Sequence, residues 1–240
     1  MQDWIKDVEY ILMPSKGPVK GFEKQYELAY ECWRSAWEKF RSELGITQKL
    51  NADGFRVTDE IGAIFYQGKC VGVHCFTYGS WVSGPFKDLA YFNGWTDLAL
   101  HKLKKLSPAN SLICSQFTVH PEFTGRNQIV RWKEINFIYI FMRYQNSSAD
   151  VMCGHLNMTR KVQEAAGESF GATVLEPLVH FDYSGTSLES QLVAYEKEKF
   201  EEIKDKKEIR PLCDNLWSRL IHLSEYPVIK SNILTFKKAA

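Results

Sequence analysis

The sequence predicts an α/β (α+β) fold, a central mixed, twisted sheet flanked by helices, and three stretches predict it. Between Gly21 and Leu44, Phe22, Tyr26, Ala29, Trp33, Trp37, Phe40 and Leu44 recur every three or four residues. That spacing is the apolar stripe of an amphipathic helix. IGAIFYQ and CVGVHCFTYG are strand-like runs on either side of Gly68-Lys69, the pattern of an antiparallel hairpin. From Ser111 to Tyr144, an apolar run stops at His120-Pro121, a short loop holds Gly125 and Arg126, and a mostly apolar helix begins near Gln128. Strand, glycine-bearing loop and helix together aim backbone N–H groups and a helix dipole at an anion, often a phosphate.

Taken in order, residues 1 to 18 end in a loop, PSKGPVKG, because proline and glycine interrupt regular structure. Gly45 stops the first helix. Asn51 to Glu60 is polar and turn-like, and Asp59 and Glu60 either serve a site at the strand end or stay solvated. Phe76, Tyr78, Trp81, Phe86, Tyr91, Phe92 and Trp95 crowd the next stretch, and Leu98, Ala99, Leu103 and Leu106 suggest a helix up to Ser107-Pro108. These aromatics either line a channel for an apolar substrate or pack a core. ADVMCGHL is a short apolar run, and Asn157 is placed to cap a helix carrying Met158, Val162, Ala165 and Ala166. ATVLEPLVHFDY reads as a strand pair or one bent strand. Thr186 and Glu189 have capping-box spacing before a helix through Leu188, Leu192, Tyr195, Phe200 and Ile203. Leu212, Leu216, Leu220 and Leu223 suggest a last short helix after Pro211. Without repeats or a low-complexity linker, one domain over 1–240 is expected, with a core at about 22–182 and a helical extension at about 186–240.

Composition bounds the partners. At 45% hydrophobic and 25% charged the 240 residues are ordinary for a soluble globular chain. A net charge of +1, with basic residues interleaved with acids as in EKEKFEEIKDKKEIR, gives no reason to expect nucleic acid. Six cysteines lack CxxC or matched spacings, which argues against a metal site and for a reduced, cytoplasmic protein. The N-terminus has no signal-peptide pattern. The apolar helix from Ile129 to Tyr144 is too short and too often interrupted by polar residues for a membrane span, so it reads as a core helix.

The segment Val119-His120-Pro121-Glu122-Phe123-Thr124-Gly125-Arg126-Asn127 resembles the strand end and pyrophosphate loop of the GCN5-related N-acetyltransferase (GNAT) superfamily. Asn157 and AAGESFGA resemble the helix after that fold's fifth strand. The likeness covers about residues 22–182, and the long first helix and aromatic insertion resemble the long-chain branch of N-acyl amino acid synthases and acyl-homoserine-lactone synthases. Thr124, Asn127 and Ile129 stand where the superfamily has Arg or Gln, Gly and a small residue. The second hairpin strand also lacks the Arg usual in the lactone synthases.

The resemblance implies an N-acyltransferase that takes acyl-CoA or acyl-carrier protein as donor and a small-molecule amine as acceptor, by direct attack. It implies donor contacts from Thr118, Val119, Thr124, Gly125, Arg126, Asn127, Gln128 and Asn157, and an oxyanion donor among the N–H groups of Thr118 to His120. The candidate catalytic bases are Glu60, His120, Glu122 and His155, with Glu134 on the following helix; histidine is suited to proton transfer near neutral pH, and the alternatives are a structural or exposed His120 and a core His155. Tyr139 and Tyr144 either protonate the leaving thiolate or pack the helix. The alternative is a catalytically silent protein that keeps the fold to bind an acyl or other apolar ligand, or a protein partner.

Overall fold

Tyr10, Ile11, Leu12 and Met13 are all fully buried, and they form the centre of a strand, β1 (Val8–Pro14), where the sequence suggested no regular element. The computed structural model describes residues 3–107, 109–125, 128, 130–167 and 170–228. After β1 come α1 (Glu23–Glu43), the one-turn α2 (Asp53–Arg56), and the hairpin β2 (Glu60–Tyr66) and β3 (Lys69–Ser80). The hairpin turn puts Gln67 and Gly68 at φ +50° and +77°, the left-handed pair that a two-residue turn requires. Two short 3-10 segments and α3 (Asp97–Leu106) follow, then β4 (Asn110–Val119), α4 (Trp132–Gln145), β5 (Val151–Asn157) and α5 (Val162–Ala166). The chain continues through β6 (Thr173–Tyr183), β7 (Thr186–Glu196), α6 (Lys197–Lys206), α7 (Arg210–Trp217) and β8 (Leu220–His222).

The eight strands of the described residues make one mixed sheet in the order β6-β7-β5-β4-β3-β2-β1-β8. Alternation along the strands sends Tyr10 and Leu12 to the face covered by α4, with Phe137, Phe141, Phe200 and Leu216. Ile11 and Met13 face α1, against Tyr26, Ala29, Cys32 and Trp33. Thr77 pairs with Ile113, so Ile113 shares the α1 face with Cys75. There it joins Phe86, Phe92, Trp95 and Leu103 in a third core under the aromatic insertion. Those aromatics are thus largely core.

Three expected elements are corrected. The helix after the glycine-bearing loop begins at Trp132 rather than near Gln128. Arg131, at φ −81° and ψ 76°, makes an inverse γ-turn, with the Trp132 N–H on the Val130 carbonyl at 3.0 Å. The expected helix from Thr186 is a strand, because Ser184 and Gly185 at φ +53° and +83° reverse the chain and pair β7 with β6 and β5; helix starts only at Lys197. The region expected as a helical extension therefore supplies a strand of the sheet. In the last expected helix, Leu220 instead opens β8, parallel to β1. ATVLEPLVHFDY is one bent strand whose register slips on both sides of Glu176.

Candidate functional site

The site grows from how β4 ends. It pairs with β5 only at Ser111↔Val151, Leu112↔Met152 and Ile113↔Cys153. Beyond that point β4 follows β3 to Val119↔Gly72, while β5 follows β7 to Asn157↔Ser190. The two strands diverge and leave a slot between the rest of β4 and the end of β5.

Within the slot β4 bulges. Val73 faces Thr118 but Cys75 faces Ser115, so His74 stands opposite two residues of β4. Gln116 absorbs the extra residue at φ +56°, the kink that re-aims a strand. Its side chain goes to the α1 face, where Trp33 Nε1 donates to Gln116 Oε1 at 2.9 Å. A Cβ at Gly54 would stand 3.1 Å from the Gln116 amide, so glycine lets α2 close on it.

Gln116 also lines a cavity of about 250 Å³ with Trp33, Trp37, Arg41, Gln48, Lys49, Leu50, Asn51, Gly54, Tyr183 and Ser184. Two indoles and a phenol wall it. Its formal charges are Arg41 and Lys49, and no carboxylate is among the described residues that line it. Arg41 is 7% exposed and donates to neutral oxygens: the Gln48 carbonyl at 2.8 Å, Ser184 Oγ at 3.3 Å and Tyr183 Oη at 3.4 Å. Its guanidinium also lies 5.7 Å from the Tyr183 ring centroid. Among the described residues no acid pairs with Arg41, so the cavity is electropositive and suits an anionic group.

The expected bases lie elsewhere. Glu60 is fully buried and sits 3.0 Å from Arg143 Nε, with Tyr78 Oη donating to it at 2.8 Å. Burial pushes its carboxyl up, against the pull of the Arg143 guanidinium. Arg143 also donates to the carbonyls of Asn146, Tyr226 and Pro227, so this pair fastens α4 and the C-terminal segment. His155 is ringed by Phe181, Tyr91 and Trp95, with centroids at 4.1, 4.7 and 5.4 Å. Trp95 Nε1 donates to its Nε2 at 2.6 Å. Burial pulls its pKa down to about 3, so the imidazole is neutral and its lone pair is taken.

His120 and Glu122 are at the β4 end but not at the cavity. His120 Nδ1 accepts from the Glu122 N–H at 3.3 Å, capping a 3-10 turn over Pro121–Phe123. Glu122 is exposed, 3.9 Å from Lys69. Glu134 is exposed and pairs with Arg131 at 3.0 Å. Tyr139 and Tyr144 are buried and bonded to carbonyls, of Leu216 for the first and of Asp150 and Tyr195 for the second. Burial pushes both hydroxyls up.

The expected donor contacts divide. Thr118 is buried; its Oγ1 donates to the Gln116 carbonyl at 2.7 Å, and its own carbonyl accepts from Asn136 Nδ2 at 2.7 Å. Val119 closes β4 against Gly72. Thr124, Gly125 and Gln128 are exposed in the following loop. Thr124 Oγ1 donates to the Pro121 carbonyl, and Gln128 Nε2 to that of Glu122. Gly125 has φ +135° and open space at its Cβ position. Arg126, Asn127 and Ile129 lie outside the described residues. Asn157 Oδ1 accepts the Arg160 N–H at 2.8 Å, so it caps the turn leading to α5.

Gln116, Arg41, Lys49 and Tyr183 escaped the sequence reading; Trp33 and Trp37 were visible as an aromatic stripe. Among the described residues no group of three or more His, Cys, Asp or Glu is placed to hold a metal ion. No helix among them is long and apolar enough to cross a membrane.

With this geometry in place, comparison with solved structures identifies the fold. BjaI, a CoA-dependent acyl-homoserine lactone synthase solved with SAM and isopentyl-CoA, superposes at TM-score 0.52 and 11% identity, over 90% of this chain and 94% of that one. FeeM, an N-acyl amino acid synthase from uncultured soil microbes, is similar at TM-score 0.49 and 11% identity, over 82% and 95%. The acyl-homoserine-lactone synthase LasI is similar at TM-score 0.49 and 12% identity, over 78% and 89%. No protein-family model and no curated protein matches the sequence. The fold is GNAT-like, the mixed sheet and flanking helices that the resemblance implied.

Proposed function

We propose that the protein is an N-acyltransferase that moves an acyl group from acyl-CoA or acyl-carrier protein to an amine by direct attack. The observation that carries this reading is the divergence of β4 from β5 after Ile113↔Cys153, which leaves a slot whose β4 wall bears Gln116, a residue shared with the electropositive cavity. A thioester lying in the slot brings its carbonyl to the β4 edge, and an acceptor in the cavity reaches it from the α1 side.

Among the described residues that line the cavity there is no carboxylate or imidazole, so the acceptor enters as the free amine. Its nitrogen attacks the thioester carbon, and the oxyanion forms on the backbone N–H groups of β4. The C–S bond then breaks, and the proton carried by the attacking nitrogen passes to the departing thiolate. With no acid among the described lining residues, Arg41 and Lys49 favour an acceptor that also carries a carboxylate; Trp33, Trp37 and Tyr183 favour an apolar or aromatic body.

A non-catalytic ligand-binding reading draws on one observation: Glu60 and His155, two of the expected bases, are locked into buried contacts. One experiment separates the two. The protein is incubated with acyl-CoAs of graded length and a mixture of amines, and products are read by mass. N-acyl product that requires the protein supports the enzyme; acyl-CoA binding by calorimetry with no product from any pair supports the silent binder.

A further inference from the structure

A chain of buried polar groups crosses the apolar core between the sheet and α4. Tyr10 Oη lies 2.7 Å from His74 Nε2, His74 Nδ1 lies 2.6 Å from Asn136 Oδ1, and Asn136 Nδ2 donates to the Thr118 carbonyl at 2.7 Å. Tyr10, His74 and Asn136 are fully buried. The tyrosine hydroxyl donates to Nε2, which leaves the proton of the neutral ring on Nδ1, facing Asn136 Oδ1. That bond fixes which end of the Asn136 amide faces Thr118. Burial pulls the His74 pKa down to about 3, in keeping with a neutral imidazole.

The sheet is built to admit these groups. A Cβ at Gly62 would stand 2.2 Å from His74 Nε2 and 2.4 Å from Tyr10 Oη, and one at Gly72 would stand 3.0 Å from Asn136 Nδ2. Two glycines in adjacent strands thus leave volume for polar groups that a hydrophobic packing would not need. Burying such groups costs free energy unless each is bonded, and the chain they form ends on a single carbonyl beside the slot.

We propose that His74 and Asn136 are positioning residues for acyl transfer: by holding the Thr118 carbonyl toward α4 and β3 they turn the Val119 N–H into the slot between β4 and β5. The proposal rests on the acyltransferase reading of that slot. In a planar trans peptide the carbonyl of one residue and the N–H of the next point in opposite directions. A side chain that grips the Thr118 oxygen therefore aims the Val119 N–H at the opposite edge of β4. The neighbouring His120 N–H is already committed to the Val71 carbonyl at 2.9 Å, which leaves Val119 as the donor that meets the developing oxyanion.

The test compares Asn136→Leu, His74→Gln and His74→Asn with the wild-type full chain, measuring kcat and KM for acyl-CoA beside thermal melting. Asn136→Leu removes the grip with the same number of side-chain heavy atoms. In His74→Asn the new amide nitrogen falls where imidazole Nδ1 was and keeps the bond to Asn136, whereas in His74→Gln the amide falls at Nε2 and loses it. The expected result is a fall in kcat of about 10- to 100-fold in Asn136→Leu and His74→Gln, approaching the loss of one oxyanion donor. KM should stay within about 3-fold, the pattern of an interaction made only in the transition state, and His74→Asn should recover most of the rate. Folded variants with wild-type kcat, or equal losses in the two His74 variants, would overturn the proposal. If Asn136→Leu does not fold, the His74 pair decides. A wild-type chain that releases no thiol sinks the acyltransferase reading itself, a result visible before any variant is made.

Discussion

Trp33 on α1 donates its indole N–H to Gln116 Oε1 across 2.9 Å, and Gln116 is the bulged residue of β4, at φ +56°. The bond ties the helix that walls the cavity to the place where the sheet opens. Gln116→Leu keeps much of the volume but leaves the indole N–H without its partner. The expected cost is about 1–3 kcal/mol in urea unfolding, with a shift in tryptophan emission and a raised KM for the amine. Unchanged emission and stability would show that the bond does not hold the wall.

Among the described residues Arg41 makes its hydrogen bonds to neutral oxygens only, so its charge is available to a ligand. Replacing it with Met should weaken amines that carry a carboxylate by about 10- to 100-fold in kcat/KM, the size of a lost hydrogen bond to a charged group. The decarboxylated analogue of the same amine should change little. Equal losses for both acceptors would mean that Arg41 only supports the fold.

The Glu60–Arg143 pair is completely buried. Arg143→Met should destabilise the chain by about 3–5 kcal/mol, because an unpaired carboxylate is left inside. The double variant Glu60→Leu with Arg143→Met should recover much of that loss. Chemical denaturation of the three chains reads this directly; a double variant no better than the single would contradict it.

His74 and His155 both have pKa values pulled down to about 3 by burial. In the unfolded chain each titrates near ~6.5, so below that pH the unfolded state binds protons that the folded state refuses. Stability is then complete above the unfolded value and falls as pH drops, by about 1.4 kcal/mol per pH unit for each histidine until the folded value is reached. Between pH 7 and pH 5 the two together should remove about 3–4 kcal/mol, and His155→Gln should roughly halve the slope. Denaturation midpoints that do not move over this range would show that the rings are not held neutral.

How legible this was depended on whether a feature is local. The stripe from Phe22 to Leu44, the Gly68 turn and the strand before Pro121 carry their signals within a few residues, and each forms where expected. β7 looks helical in sequence because Leu188, Leu192 and Tyr195 also fit a helical stripe behind Thr186 and Glu189. Pairing with β5 on one side and β6 on the other decided the matter, although Ser184-Gly185 was a turn signal. The cavity was harder. Gln116 becomes special through a register shift between β3 and β4, which no single strand records. Arg41 lies on a helix among solvated charges, and only the β6–β7 tip folding against it makes a wall. Glu60 and His155 have the chemistry of a base at strand ends, but their tertiary surroundings hold them in contacts away from the cavity lining.

Direct attack by a free amine without an enzyme base makes the pH dependence of thiol release, from one acyl-CoA with acceptors of different basicity, the deciding measurement. Protein-dependent release is expected, with a kcat/KM that rises with pH to a midpoint set by each amine's own pKa, so that the profile moves when the acceptor is changed. A midpoint that stays put whatever the acceptor, marking a titrating group on the protein, would contradict it, as would the absence of thiol release from every acyl-CoA.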